Sequence, residues 1–183
     1  EAALDPAVLH RTLNKAAVPL QPFIPPSVCE RREGAPILSG SRSTVKALLS
    51  EGRWPKEARP SLLVASETAP LNLPKLAEAI QILLGSEDLF LNVQPEPETA
   101  VRTLLQAGAF DFALTEATVV GGDPHLLLYP LSTSEGATKG PRALNFSFYR
   151  NPRLDDVLAR ASQLTFRTER QRLYQRGRAM LAE

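Results

Sequence analysis

The sequence has few of the residues from which reactive sites are usually built. Its 183 residues include one cysteine, Cys29, and two histidines, His10 and His125. A single cysteine excludes an internal disulfide framework and a cysteine-based zinc site. The histidines are widely separated and form no His-x-x-x-His pair, so neither a metal nor any other cofactor is expected. Aromatic residues make up only 6% and are not interleaved with the arginines, so no nucleic-acid surface is expected. No apolar run reaches the roughly 18 residues of a membrane-spanning helix. A chain that forms no disulfides says nothing about its compartment.

What is present is globular in composition. Hydrophobic residues make up 43% and charged residues 22%, enough apolar side chains to build a core. The length suits about one domain. Net charge is +1, unevenly spread. Residues 1–138 hold 11 basic and 16 acidic side chains, whereas residues 139–183 hold 10 and 4. The late arginines lie along helix-like sequence and read as a solvated face. The chain opens at Glu1 without methionine or an apolar leader, which suggests a removed signal peptide or a cut from a longer chain.

The pattern along the chain predicts an α/β domain. Asp5-Pro6 reads as a helix cap followed by proline, with Val8, Leu9 and Leu13 on one face. Four prolines between Pro19 and Pro26 predict an extended crossing over residues 18–28. Ser43 is the expected cap of a second helix. Residues 61–66 read as a buried strand. A helix over 75–84 follows, with Gly85 as its expected end. Leu89, Leu91 and Val93 alternate as a second strand. A helix over 98–107, closed by Gly108, leads to a third strand over 110–114. Crossovers of about 10–12 residues fit only parallel connections. The expected architecture is a mainly parallel sheet with helices on both faces, within a single domain over 1–183. Residues 1–60 form opening helices and the proline-rich crossing, 61–124 the βαβαβ core, and 125–183 the C-terminal helices. In the last of these, Asn151-Pro152 starts one helix, and Thr168 with Gln171 has capping-box spacing for the next.

The chemistry available is sparse. Asp111, Glu116 and Asp123 are carboxylates near the third strand, but proximity in sequence does not pair them for acid–base work. Ser132-Thr133-Ser134 lacks the glycines of a nucleophile elbow. Gly121-Gly122 lacks any phosphate-cradle spacing. Trp54 reads as a packing residue. No nucleophile–base set is present and no catalytic residue is expected, so an enzyme is the least favoured class. Ligands of open parallel sheets lie beyond the carboxyl ends of the strands. The loops in that position are residues 66–73 and 115–124.

Several strings, in order, resemble the second lobe of family 5 extracellular solute-binding proteins, the oligopeptide, dipeptide and nickel binders of ABC importers. Leu4-Asp5-Pro6 resembles the family's "aIDReaiv" segment, and Pro22-Phe23-Ile24-Pro25-Pro26-Ser27 its "GPIPP" crossing. Residues 45–54 resemble "AkaLLaeAGw", and 77–81 "aeaiqaqL". Residues 108–114 resemble "gdFDlal", and Gly122-Asp123-Pro124 the "yPDP" corner. Residues 145–155 resemble "NysgYsNPevD", and 170–183 "eRaaLYreaqrilaed". Together these strings span nearly the whole chain.

The resemblance implies one lobe of a periplasmic-binding-protein-like (type II) fold. It further implies a small-molecule or peptide-like ligand held against a missing first lobe, an ABC permease as partner, and a periplasmic or extracellular location as a lipoprotein or secreted protein. The candidate cleft-facing residues are Glu67, Thr118, Val120, Gly121 and Asp123. Three departures from the family pattern argue against free dipeptides. Glu67 stands where the dipeptide branch has an arginine for the peptide carboxylate. Val120 stands where peptide binders have an aspartate for the amine, and Ala117 replaces the tryptophan opening that loop. Each charged anchor contributes about 1.5–3 kcal/mol. A cationic or uncharged ligand, with Glu67 as counter-charge, fits better. The alternative is a ligand-sensing or scaffold domain of a larger protein, such as a transcriptional regulator, with binding altered or lost.

Overall fold

The structure, a computed structural model, describes residues 6–13, 42–67, 71–117, 123–137 and 143–182. The expected proline-rich crossing over 18–28, the cap at Asp5 and the candidates Thr118, Val120 and Gly121 lie outside the described residues. The described chain forms two compact units. The first holds residues 6–13, 42–67 and 71–116, and the second residues 117, 123–137 and 143–182.

The first unit contains α1 (Pro6–Thr12), α2 (Arg42–Glu51), β1 (Ser61–Ala65), α3 (Leu73–Gly85), β2 (Asn92–Glu96), α4 (Glu98–Ala107) and β3 (Phe112–Leu114). The three strands are parallel in the order β2-β1-β3. The chain therefore steps from β1 to one side and returns past it to the other. Right-handed crossovers then put α3 and α4 on opposite faces. Burial agrees with this placement. Leu62 and Val64 of β1 join Leu73 and Ala77 of α3 in one apolar cluster with Leu91. Leu63 points the other way and is fully buried, while α4 packs on β1 and buries Val101 and Leu105. The α/β expectation of a parallel sheet with helices on both faces holds.

Local chemistry explains where the elements start and stop. Asn72 caps α3, its Oδ1 accepting from Lys75 N at 3.1 Å, so the helix opens before the expected Lys75. Gly85 is the last residue of α3, as expected, but it does not end the helix as a left-handed cap. The chain leaves through Ser86, and the left-handed residue is Asp88 at φ 65°. Gly108 does close α4, at φ 69°, with its N–H reaching Leu104 and Leu105 carbonyls. Replacing Gly108 by alanine is expected to cost about 1 kcal/mol, because only glycine takes this conformation freely. Urea unfolding is the check.

The second strand begins later than its apolar alternation suggests. Leu89 and Leu91 pack on the α3 cluster, but the ladder pairs Ser61 with Asn92 through Ala65 with Glu96. Hydrogen bonding defines the strand, and it continues through polar residues because β2 is an edge. Pro95 fits there: Asn92 N donates inward to Pro60 O, so alternation turns the position of Pro95 N outward. The third strand also starts late, at Phe112. Asp111 takes Ser61 N–H and Oγ–H on Oδ2 at 2.8 and 2.9 Å, in place of ladder bonding. Helix α2 starts at Arg42, one residue ahead of its expected cap Ser43.

The second unit contains α5 (His125–Ser132), a 3-10 turn (Glu135–Ala137), α6 (Pro152–Gln163) and α7 (Arg167–Ala182). Leu128, Leu154, Leu158, Ala161 and Tyr174 form its core. Asn151 caps α6 as expected, its Oδ1 accepting from Arg153 N and Leu154 N. Thr168 does not cap α7; the helix opens at Arg167, and Arg170 N already donates to Phe166 O. Helices α6 and α7 approach closely at Gly177, where a Cβ would lie 3.1 Å from Leu158 Cδ2 and 3.3 Å from Leu154 Cδ1.

Candidate functional site

The carboxyl ends of β1 and β3 carry Ser66-Glu67 and Thr115-Glu116. Adjacent strands whose connections run in opposite directions open a crevice at those ends. Asp111 and Ser61 lie at the opposite, amino end of the same strands and clip β1 to β3. Their bonding holds the Asp111 carboxyl below its usual range, first through the Ser61 N–H and then through its hydroxyl. Asp111 is thus a structural carboxylate, as the weaker acid–base reading of the sequence allowed.

Glu67 is exposed and belongs to the first unit. Its Oε1 accepts from Glu98 N at 3.1 Å. Helix α4 has Pro97 at its cap position, with no side-chain cap of its own. A carboxylate from the loop after β1 therefore supplies the cap, and the partial positive charge of the helix end favours it. No local motif announces this contact, because the residues are 31 positions apart.

Asp123 belongs to the second unit and is held within it. Arg170 Nη2 donates to Oδ2 at 2.8 Å and to Oδ1 at 3.1 Å. His125 N also donates to Oδ1, at 3.0 Å. Burial pushes the carboxyl up, but the Arg170 hydrogen bond, the His125 N–H and the nearby positive charge together hold it low. The sequence singled out Asp123 but not Arg170, whose only signal was its place in the "eRaaLY" likeness.

His125 stacks on Tyr129 at 4.7 Å between ring centroids and lies 6.4 Å from Tyr174. Its Nδ1 is buried without a hydrogen-bond partner among the described residues. Burial lowers its pKa, Asp123 opposes this, and Arg170 adds to it. The neutral form is therefore favoured in the folded state. The sign follows: below the unfolded value of 6.5 the unfolded chain takes a proton the folded chain resists. Stability is expected to fall as pH drops below that value, and again as acid protonates Asp123. The first loss should vanish in His125→Phe and the second should remain; thermal melts across pH read both. Tyr129, by contrast, is pushed up to about 12, first by its hydrogen bond to Glu135 and then by burial. It stays a neutral donor at ordinary pH.

Among the described residues no group of three or more His, Cys, Asp or Glu is arranged to hold a metal. Among the same residues no helix is long and apolar enough to cross a membrane.

No family model matches the sequence, and no curated protein is detectably similar to it. Solved structures do match. The ABC-transporter-associated periplasmic binding protein DppA from Helicobacter pylori, in complex with the peptide STSA, gives a TM-score of 0.83 at 18% identity. That match covers 98% of this chain and 34% of that one. This chain has the fold of part of that periplasmic binding protein. HbpA2 from Haemophilus parasuis gives 0.84 at 23% identity, over 96% of this chain and 34% of that one. The Escherichia coli murein tripeptide binding protein MppA gives 0.81 at 20%, over 98% and 35%. This chain thus spans about a third of the length of the binding proteins it matches. The fold implied by the sequence resemblance is the fold found.

Proposed function

We propose that this chain is one lobe of the solute-binding receptor of an ABC importer, acting in the periplasm or outside the cell. It captures a small-molecule or peptide-like ligand without catalysis, against a second lobe, and passes it to the permease. The observation that carries this reading is the match of nearly the whole chain to about a third of each binding protein. The parallel sheet with a crevice at its carboxyl ends supports the same reading, since ligands of such sheets lie there. A cleft with two walls also buries more of a ligand than one lobe does alone.

The ligand proposed is cationic or uncharged and is not a free dipeptide. Glu67 supports this by its charge. Calorimetry on the full native protein tests it, with mixed di- and tripeptides in one arm and cationic and uncharged small solutes in the other. Heat is expected only in the second arm. Heat from the peptides would overturn the ligand class, and silence in both arms would overturn the receptor reading.

Glu67→Ala in that protein is expected to weaken a cationic ligand by more than about threefold, as loss of one exposed charged contact does. The cap on α4 predicts a separate effect, a loss of roughly 0.5–1 kcal/mol in stability without ligand. Glu67→Gln separates the two, since it keeps an acceptor for Glu98 N but loses the charge.

A further inference from the structure

Among the described residues three other than glycine have positive φ: Arg53, Asp88 and Phe148. Arg53 and Asp88 lie just past the ends of α2 and α3, where chains commonly leave helices in that conformation. Phe148 follows no helix. It closes a turn, its N–H donating to Asn145 O at 3.2 Å, and sits at φ 54°. Glycine is favoured at this place in a turn and takes the conformation freely, whereas a bulky side chain is an outlier there. Such backbone collects at functional contacts and persists only where its surroundings over-determine it.

The surroundings of Phe148 do so. The side chain of buried Asn145 brackets Tyr149, accepting from its N–H at 3.2 Å and donating to its carbonyl at 2.9 Å. Asn151 Nδ2 donates to Tyr149 Oη at 3.0 Å and so fixes the end of the ring. Yet the two side chains held this way are exposed, Phe148 by 39% and Tyr149 by 37%. Two adjacent aromatic rings on a fixed loop differ from the scattered single apolar residues common on surfaces. Arg150 and Arg153 complete the stretch. Both are exposed, and neither forms an ion pair among the described residues. The acids that follow are already engaged. Asp155 Oδ1 accepts from Ser134 N at 3.0 Å, and Asp156 lies 3.7 Å from Arg160. The positive charge at 150 and 153 is therefore left uncompensated. Tyrosine and arginine are also the residue types that dominate binding energy at protein interfaces.

We propose that residues 148–153 are a preformed docking knob for a second protein, one that presents an acidic rim around an apolar notch. Charge complementarity selects the rim, and the two rings select the notch. The fixed loop selects a protein over a lipid surface. A fluid surface adapts to any loop, whereas a shaped pocket benefits from one ordered in advance. The inference does not rest on the receptor reading.

The test uses the full protein in the cells that make it. Phe148 is replaced by p-benzoylphenylalanine, which keeps an aromatic ring at the site and links to its neighbours under ultraviolet light. A second protein carries the same change at Ile82, which is 73% exposed on α3. Linked peptides are sequenced by mass spectrometry. The probe at 148 is expected to link to one protein segment of net negative charge, and the probe at 82 is not. Arg150→Glu with Arg153→Glu should cut that link at least about tenfold, since like charges then meet across the contact. Circular dichroism confirms that each protein folds; if the protein with the probe at 148 does not, Tyr149 takes the probe instead. No link, a link indifferent to the arginine reversals, or a link to a segment without net negative charge overturns the proposal. So does a link to a second copy of this chain. Pelleting with vesicles of phosphatidylglycerol and phosphatidylethanolamine is the last arm. The protein is expected to stay in solution, and pelleting abolished by the same reversals would assign the loop to a membrane and overturn the protein partner.

Discussion

Replacing Gly136 by alanine is expected to cost about 3 kcal/mol, the upper part of the usual range for overpacking. For a chain of this size that lowers the melting temperature by roughly 6–12 °C. The reason is backbone, not side chain. A Cβ at Gly136 would lie 2.2 Å from Pro130 O and 2.8 Å from Pro130 C. Rotation of a side chain cannot relieve that contact. Pro130 sits inside α5 with its dihedral fixed by the ring, and Gly136 lies in the 3-10 turn that folds back onto it. The turn is also tied down, since Gly136 N donates to Thr133 Oγ1 and Gly136 O accepts Asn145 N. Gly85→Ala is the control. Its Cβ would meet only the Phe90 ring at 3.8 Å, with no left-handed backbone to strain. Within helix α3 that change should be neutral or stabilising by a few tenths of a kcal/mol. Calorimetric melts of the two variants decide the matter. A drop below about 2 °C for Gly136→Ala would mean that the close approach of Gly136 to the Pro130 carbonyl does not limit this position.

The elements of this fold were legible because apolar spacing sets them. The two helix–strand crossovers, the parallel sheet and the capped start of α6 at Asn151 follow from periodicity and short-range chemistry. The element edges were less legible, each for a specific reason. At Gly85 a glycine stood where the helix needed no left-handed residue, and Asp88 took that conformation three residues later. At β2 the apolar alternation marks packing on α3, while the ladder runs on through Gln94, Pro95 and Glu96. At α7 the Thr168–Gln171 spacing imitates a capping box one residue inside the helix.

The candidate site was legible as a place but not as a set of contacts. Parallel topology points to the strand ends, and Glu67 is found there. That Glu67 caps α4, and that Asp123 is claimed by Arg170, depends on pairings 31 and 47 residues apart. No local pattern in one sequence encodes such distances. The family resemblance reached Arg170 as one letter in a string, without its partner.

Asn145 shows how the second unit settles such long-range contacts, and its loss is expected to be as damaging as that of Gly136. The residue is 2% exposed and uses every polar direction it has. Its Nδ2 donates to Thr133 O and Tyr149 O, both at 2.9 Å. Its Oδ1 accepts Ser147 Oγ–H at 2.9 Å and Tyr149 N–H at 3.2 Å. This closes the chain over Phe148, which is forced to φ 54°, an uncommon conformation for a bulky side chain. Such a residue stores on the order of 1 kcal/mol or more, and persists only while its surroundings hold it. Asn145→Ala removes the holder and leaves the Thr133 carbonyl buried without its donor, a loss of about 1–3 kcal/mol by itself. Water reaches the more exposed Tyr149 and limits the further cost, so about 3 kcal/mol is expected in all. Asn145→Asp should not rescue it, because an oxygen would then face two carbonyl oxygens where an amide nitrogen donates now. Asn145→Gln should not either, since one added methylene overfills a buried site. Urea midpoints give the totals, and hydrogen exchange at Tyr149 N–H shows where the loss falls. Exchange there should quicken in all three variants, while the α3 amides stay protected. If Asn145→Asp unfolds at the parent's urea concentration, the four bonds are not what holds this loop closed.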